Sequence, residues 1–472
     1  MPMWTCDFAN CEKPAVRNLG DCILCNRHLC SDHLQPAVHK CPKWEDENIY
    51  DPAARAAEAD ELAELIKKIN TSALAARASH LRGGIACSIP PLHYDRETRS
   101  SVMGGMNYHI EVNFDDGIKW IARVRRFNAT SPPAVLRDYI VQSEVATLKF
   151  LERTGVPAPK VFDFALDHAD NYVGVGYILM EKLFGKSLRW SIATQEQRRN
   201  VMVQLADIFI ELSRYPFDLL GSLDCPGDSH VGAFARESLT DFVQSGMRTM
   251  GPFSSLEEYH KSSLRLVLDL ILREEIYSQQ AVDAYLIHRF LFDLVPSVLP
   301  QTVQDNQIYY LKHADDKGDH ILVDEDFNIT GIIDWEWAHT APPTQAFNSP
   351  IGLLQVDEFY RGMNHLGDDE ITFAHMLEEK GHPNLAGFVW SGRLQHRFSF
   401  CCGYDLTDWD GFLGLFQGLR DAVKVDDGLD WNGWKSAALR RYREDTGLQL
   451  LLHRHGNLVP EGEEKGQSSS IP

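Results

Sequence analysis

Long apolar segments and a secretion signal are both missing from this sequence. No apolar run approaches the roughly 18 residues that a membrane-spanning helix needs. The most apolar stretch, 290–299, is interrupted by Asp293 and Pro296. The first residues also lack the charged-then-apolar layout of a signal peptide. We therefore expect a soluble, cytoplasmic protein without a membrane partner.

Positive charge is scarce as well. Lys and Arg number 46 against 67 Asp and Glu, which gives a formal net charge of −21 over 472 residues. A nucleic-acid-binding protein needs a basic footprint, so we expect no nucleic-acid partner. A magnesium-bound nucleotide remains compatible, because a local basic pocket is enough. The length predicts about two to four domains.

Cysteine is sparse except near the N-terminus, where six of the ten cysteines fall within the first 41 residues. Such crowding without a secretion signal favours metal ligands over scattered disulfides. Eight thiol and imidazole donors would satisfy two tetrahedral, structural zinc ions, whose binding would supply the folding free energy of so small a segment. The candidate ligands are Cys6, Cys11, Cys22, Cys25, Cys30, His33, His39 and Cys41.

Strand-like alternation follows the glycine pair Gly104-Gly105 and continues into a second strand. A period of two places Ile121, Arg123 and Arg125 on one face of that strand. Glycine amides beside such cations would approach the phosphates of a nucleotide. A purely structural turn and a basic edge strand are the alternative.

Two aspartates stand at the ends of a predicted β-hairpin. The apolar strands 321–323 and 329–333 flank the turn sequence DEDFN. A hairpin folds its ends together, so Asp315 and Asp334 should lie near each other. Paired acids of this kind suit magnesium-assisted phosphoryl transfer. The acids between the two strands are assigned to the turn itself.

Helical periodicity dominates after about residue 187. The predicted helices are 195–214, 235–247, 255–275, 280–295, 356–363, 370–380, 395–402, 409–423 and 434–446.

A strand-rich lobe, a linker and a helical lobe with an acidic hairpin resemble the protein-kinase-like fold. The HxD motif, a hydrophobic strand and IDWE resemble the aminoglycoside phosphotransferase family, including its fungal kinase-like members. The resemblance covers about 100–425 and implies an α+β bilobal fold. That fold has an antiparallel sheet in the small lobe and a mostly helical large lobe.

The order of the N-terminal ligands resembles an AN-one-type cross-brace zinc finger, although Cys6-x4-Cys11 is wider than the usual CxxC. The resemblance implies that Cys6, Cys11, Cys30 and His33 hold one zinc ion, and that Cys22, Cys25, His39 and Cys41 hold the other. The implied domains are a finger (1–45), a helical linker (46–98), a small lobe (99–186), a large lobe (187–450) and a disordered tail (451–472).

The kinase-like resemblance also implies roles for single residues. Asp315 matches the catalytic aspartate that accepts the proton of the acceptor hydroxyl. Asp334 matches the aspartate that binds magnesium. Arg123 aligns with the phosphate-binding lysine, and Glu144 aligns with the helical partner of that cation.

The segment between the lobes, Glu181 to Leu183, aligns with the adenine-binding linker through its backbone groups. Two positions depart from the family pattern. His320 stands where the family has an asparagine that binds the second metal, and imidazole is a poor ligand for hard magnesium. Arg123 replaces lysine with a larger, forked head.

These observations predict a zinc-binding, kinase-like phosphotransferase that uses ATP and magnesium. It would move the γ-phosphate to a hydroxyl group of an unidentified small molecule. The alternative is a non-catalytic kinase-like scaffold whose finger binds a protein partner. His320 and Arg123 favour the alternative.

Overall fold

The computed structural model describes residues 2–94, 103–244, 246–299, 308–403 and 408–455. Most of the predicted disordered tail, 456–472, lies outside these residues. Among the helices in the described segments, none is long and apolar enough to cross a lipid bilayer.

The N-terminal finger is a small hairpin module followed by two helices. Its strands β1 (Asp21–Cys22) and β2 (Arg27–His28) pair antiparallel, and Val16 and Leu29 are fully buried beside them. Helices α1 (Glu47–Lys68) and α2 (Thr71–Leu81) then occupy the predicted linker.

In its described segments, the small lobe consists of a five-stranded antiparallel sheet with strand order β3-β4-β5-β7-β6 and the helix α3. Its elements are β3 (Cys87–Ser88), β4 (Asn107–Phe114), β5 (Lys119–Arg125), α3 (Ala134–Leu151), β6 (Val161–Ala165) and β7 (Tyr177–Glu181).

The sheet therefore begins before the predicted lobe boundary at residue 99. Cys87 pairs with Phe114, so the strand assigned to the linker forms the sheet edge. Helices α1 and α2 cover one face of the sheet, where Leu62, Leu65 and Leu74 pack against Trp120 and neighbouring apolar side chains. The opposite face carries Arg123 and is turned towards the large lobe, and the space between this face and the large lobe is the cleft.

The large lobe contains short strands and a set of packed helices. Its elements are β8 (Lys186–Ser187), α4 (Gln195–Leu212), β9 (Ser222–Leu223), β10 (Val231–Gly232), β11 (Thr240–Val243), β12 (Gly246–Thr249), α5 (Leu256–Leu272), α6 (Ala281–Val298), β13 (Tyr310–Lys312), β14 (Ile321–Val323), β15 (Ile329–Ile332), β16 (His339–Ala341), α7 (Pro343–Ala346), α8 (Val356–Tyr360), α9 (Asp368–Glu379), α10 (Pro383–Trp390), α11 (Arg393–Gly403), α12 (Trp409–Val423), α13 (Trp431–Arg441) and α14 (Thr446–Arg454).

Two sequence predictions in this lobe are wrong. The helix predicted over 235–247 is instead the β11–β12 hairpin, which turns next to Gly246 with φ at +117°. That backbone conformation suits glycine in a turn and interrupts a helix. The disordered tail was predicted from residue 451, but α14 continues to Arg454 because Leu448 and Leu451 are buried against the lobe.

The acidic hairpin has the predicted strands. β14 pairs antiparallel with β15, and β8, which follows the crossing from the small lobe, pairs with the other edge of β14. In the turn, Asp324 accepts from the backbone amides of Asp326 and Asn328 at 3.0 and 2.8 Å, which agrees with a turn role.

Candidate functional site

Arg123 is presented to the cleft by the middle strand of the small-lobe sheet. Trp120, Ala122 and Val124 are buried on the opposite face, as the alternation of β5 predicts. His109, on the neighbouring strand β4, lies directly opposite Arg123. Burial and repulsion from Arg123 lower the pKa of His109 to about 4, so its imidazole is neutral at physiological pH.

The guanidinium of Arg123 is bound by carboxylates from both lobes. It forms an ion pair with Glu144 of α3 and donates from Nη2 to Asp334 Oδ1 at 2.6 Å. The same Nη2 donates to Glu336 Oε2 at 2.9 Å. The structure thus brings together three residues that the sequence analysis assigned to one site, namely Arg123, Glu144 and Asp334.

Glu336 is a site residue that the sequence analysis missed. Its side chain is 3% exposed and also forms an ion pair with Arg125. In the amide orientation that satisfies its oxygen, Asn107 accepts from Arg123 Nη2 and Nε at 2.7 and 3.1 Å. The signal was present in the sequence, because Glu336 stands two residues after Asp334 in the IDWE motif.

Asp334 occupies the end of the hairpin in a left-handed backbone conformation, with φ at +63°. Few non-glycine residues adopt this conformation, and such residues are frequent at functional sites. Its side chain is 57% exposed, so one part is open to the cleft while Oδ1 contacts Arg123. Burial raises the pKa of the Asp334 carboxyl, but attraction to Arg123 outweighs this effect and the pKa lies below its usual value.

Asp315 is held at the other end of the hairpin by His313. The Asp315 amide donates to His313 Nδ1 at 3.2 Å, and His313 Nε2 donates to the Ile333 carbonyl at 3.0 Å. The imidazole therefore ties the Asp315 loop to the residue that precedes Asp334. The Asp315 carboxylate is 44% exposed and lies 3.0 Å from Lys317 Nζ.

Lys317 links the two predicted acids electrostatically. Its pKa is raised mainly by the hydrogen bond to Asp315 and further by attraction to Asp319 and Asp334. A charged lysine thus lies near both Asp315 and Asp334.

His320 is buried and stacks on His313, with ring centroids 4.1 Å apart. Burial, reinforced by repulsion from His313, lowers its pKa to about 3. Its Nδ1 atom is buried without a hydrogen-bond partner among the described residues. The position at which the family has a metal-binding asparagine therefore holds a neutral, packed imidazole, and this agrees with the expectation that His320 does not suit magnesium.

The sequence predicts that backbone groups of two segments, Glu181 to Leu183 and Gly104-Gly105, contact the nucleotide. Glu181 ends β7, and its amide donates to the Lys160 carbonyl at 2.8 Å, while Leu183 packs over Gly331 of the hairpin. Glu181 to Leu183 thus forms the crossing between the lobes.

The amides of Gly104 and Gly105 are expected to be available to the phosphates of a nucleotide, and the amide of Gly104 is not. The Gly104 amide donates to the Asn107 carbonyl at 3.0 Å and is already engaged. The Gly105 carbonyl accepts from Arg126 at 3.2 Å. Both glycines are exposed at the start of β4.

The finger brings its eight predicted ligands together as two groups of four. One group is Cys6, Cys11, Cys30 and His33, and the other is Cys22, Cys25, His39 and Cys41.

The donor spacing fits zinc. Cys6 and Cys30 Sγ lie 3.2 and 3.3 Å from His33 Nδ1, and Cys11 Sγ lies 3.9 Å from Cys30 Sγ. Donors around one tetrahedral zinc ion lie roughly 3.5–3.8 Å apart, as the Zn–S and Zn–N bond lengths require. All ten cysteines fall in described segments, and each is a free thiol.

A third group of metal-ligand types, Asp224, Cys225 and His230, lies in the loop between β9 and β10. His230 already pairs with Asp224 at 2.6 Å, and the group offers three donors where a closed structural zinc site needs four. We assign no metal to it.

Curated relatives match parts of the chain. A subtelomeric hrmA-associated cluster protein of Aspergillus fumigatus is 31% identical over 169 residues, covering 35% of this chain and 31% of that protein. The mitochondrial altered inheritance of mitochondria protein 9 of Komagataella phaffii is 39% identical over 95 residues, covering 18% of this chain and 16% of that protein. The chain thus spans less than a third of the length of these curated relatives.

The solved structures to which the chain is similar include a thermostable mutant of aminoglycoside phosphotransferase APH(4)-Ia in ternary complex with ADP and hygromycin B. It is 17% identical, has a TM-score of 0.38 and covers 78% of this chain and 98% of its own. The putative fructosamine-3-kinase of Thermobifida fusca is 14% identical, has a TM-score of 0.41 and covers the same shares.

The family comparison spans the small-lobe sheet except its edge strand β3, together with the acidic hairpin. The model of the phosphotransferase enzyme family matches residues 107–349, slightly more than half of the chain. The α+β, kinase-like bilobal fold agrees with that match. The chain belongs to the phosphotransferase enzyme family.

Proposed function

We propose that the chain transfers the γ-phosphate of ATP to a hydroxyl group of a small molecule. One observation carries the proposal, namely the contact of Arg123 with both Glu144 and Asp334. Glu144 fixes the guanidinium of Arg123, whose positive charge would stabilise the negative charge of a phosphoryl group. Asp334, which contacts the same guanidinium, would bind the magnesium ion that accompanies the nucleotide.

Asp334 would hold magnesium. Magnesium keeps several waters and takes one or two protein carboxylates together with nucleotide phosphates, so a single exposed carboxylate fits. Bound there, the ion would neutralise charge on the phosphates. Arg123 already contacts Asp334 Oδ1, and its positive charge would be shared between that carboxylate and a phosphate.

Asp315 would accept the proton of the acceptor hydroxyl. Its carboxylate is 44% exposed and its backbone is fixed by His313, so the group is accessible but positioned. Lys317, at 3.0 Å, would meet the transferred phosphate from the same side. A cationic acceptor suits the net charge of −21, although family membership does not fix the acceptor.

The finger would carry two structural zinc ions. Each group supplies four soft or borderline donors, which is the ligand count of a closed site without an open position for chemistry. A structural role follows from this count, and a protein partner of the finger remains part of the proposal.

A non-catalytic scaffold is the second candidate, and His320 favours it. The stacked, neutral imidazole removes the oxygen ligand of a second metal, which leaves at most a one-metal site. Such a site would bind nucleotide with little or no turnover.

Magnesium-dependent stabilisation by ATP and slow ATP hydrolysis test these candidates. We expect wild-type protein to show both effects. Asp334→Asn should lose the stabilisation, whereas Asp315→Asn should keep it and lose the hydrolysis. If ATP with magnesium neither stabilises the wild type nor is hydrolysed, the enzyme proposal fails. Stabilisation that requires Asp334, without any turnover, would establish the scaffold instead.

A further inference from the structure

The finger is fastened to the large lobe through Arg17 and Glu275. Arg17 donates from Nε and Nη2 to Glu275 Oε2 at 3.1 and 3.0 Å, and its backbone amide donates to the Glu275 carbonyl at 2.7 Å. Its Nη1 donates to the Thr240 carbonyl of β11 at 2.9 Å. The two side chains are only 8% and 1% exposed, so this is a buried ion pair with little competition from water.

The finger also contacts the small lobe. Met3 packs against a buried cluster formed by Leu136 and Ile140 of α3 and by Ala235 of the large lobe. Trp337, three residues after Asp334, packs against the same cluster. The N-terminal module therefore contacts both lobes next to the loop that carries Asp334.

The face of α3 that receives this contact also serves the candidate site. Leu136, Ile140 and Glu144 recur every four residues, which places them on one side of the helix. Glu144 is the residue that pairs with Arg123. A shift of α3 relative to the sheet strand that carries Arg123 would break the ion pair between Glu144 and Arg123.

We infer that the finger is a brace that positions α3, with Arg17 and Met3 acting as positioning residues for the Arg123 site. Arg17 follows Val16, which is fully buried in the finger and bonded to Leu29 through its amide at 2.9 Å. The geometry of Arg17 thus depends on the folded finger. The effect on nucleotide rests on the proposed function, whereas the effect on α3 does not.

Hydrogen exchange of the α3 amides in the full chain, without nucleotide, tests the brace itself. We expect Arg17→Ala and Glu275→Gln to accelerate exchange in α3 by about tenfold or more, because local opening becomes easier. Lys13→Ala is the matched control, since Lys13 is a finger cation whose pair with Asp32 is exposed. Zinc content should not change in any of these variants.

Unchanged α3 exchange in Arg17→Ala would overturn the inference. If Arg17→Ala accelerates exchange throughout the chain, the substitution has destabilised the whole protein, and the exchange of the α3 amides is then measured in Met3→Ala. Faster exchange in α3 alone supports the brace, and unchanged exchange refutes it.

Nucleotide affinity provides the second measurement. Arg17→Ala should weaken magnesium-ATP binding by about tenfold, which corresponds to 1.4 kcal/mol. Arg17→Lys should restore part of the affinity, because lysine can pair with Glu275 but cannot also reach Thr240. If wild-type protein does not bind ATP, the proposed function fails while the exchange result still stands. If wild type binds ATP and Arg17→Ala binds it equally well, the inference is wrong.

Discussion

One amino group of Arg123, Nη2, contacts both Asp334 and Glu336, at 2.6 and 2.9 Å. A single strand residue of the small lobe is thereby joined to two acids of the large lobe. The relationship makes position 123 important for the stability of the fold and for ligand binding.

Replacing Arg123 by Ala should destabilise the protein by about 3–5 kcal/mol, because buried Glu144 loses its ion pair and buried Glu336 loses Arg123 and keeps Arg125. Arg123→Lys should recover only part of this loss, since one ammonium cannot reach three carboxylates with the same geometry. Urea unfolding measures the difference. Lys119→Ala, on the same strand but half-exposed, serves as control and should change stability little. A loss below about 1 kcal/mol for Arg123→Ala would contradict the buried network.

The position of Arg123 could be predicted from the sequence, and the complete network could not. Strand alternation placed Arg123 on the cleft face, and the apolar runs at 321–323 and 329–333 gave the hairpin. These patterns are local, with periods of a few residues. The pairing of Glu336 with Arg123 joins positions 213 residues apart, and that of Arg17 with Glu275 joins positions 258 apart. A local periodicity in the sequence cannot predict contacts between residues so far apart in the chain.

The wrong helix over 235–247 has a similar cause. Residues such as Phe242 and Val243 suit both a helical pattern and a strand, and the hairpin is decided by the positive φ at Gly246. At this place the turn, and not the helical propensity of the individual residues, determines the secondary structure.

His320→Asn should change magnesium dependence and stability in opposite directions. Asparagine offers an oxygen ligand that suits magnesium, so magnesium-dependent ATP hydrolysis should rise by about tenfold if a second ion then binds. Loss of the ring stack on His313 should cost about 0.5–1.5 kcal/mol. His320→Phe is the matched control, because it keeps a ring and supplies no ligand. Equal hydrolysis in the asparagine and phenylalanine variants would show that position 320 does not limit the reaction.

Zinc content should be two per chain in the wild type. Cys11→Ser should lower it to about one, because only one of the two groups loses a thiolate. Cys87→Ser should keep both ions, since Cys87 lies outside the groups and its Sγ donates to the Ala75 carbonyl. Elemental analysis of purified protein gives the counts. A wild-type content well below two, or an equal loss in the Cys87 variant, would refute the assignment.

Acid should destabilise the protein below about pH 6.5. Burial lowers the pKa of His260 and His288 to about 4 from the ordinary value of 6.5. The unfolded chain therefore binds protons that these neutral histidines do not, and stability is lost as the pH falls from about 6.5 towards about 4. The slope approaches about 1.4 kcal/mol per pH unit for each histidine.

Replacing His260 by Phe removes one such group, so the loss of stability between pH 7 and pH 5 should become smaller. Urea unfolding at both pH values measures it. Leu264→Met, a conservative exchange of a buried residue on the same helix that removes no titratable group, should leave the slope as in the wild type. An unchanged slope for His260→Phe would show that His260 does not contribute.

Helices α1 and α2 cover the apolar back of the small-lobe sheet, and Arg77 of α2 pairs with Asp163 of β6 while Arg126 pairs with Glu61 of α1. The segment before the family match at 107 therefore supplies part of the core of the matched region. A shortened protein without these helices would expose Trp120 and its apolar neighbours to solvent, and the exposed patch would favour self-association. Such a deletion becomes tolerable only together with polar substitutions on the sheet, so the two parts of the chain are expected to be inherited as one unit.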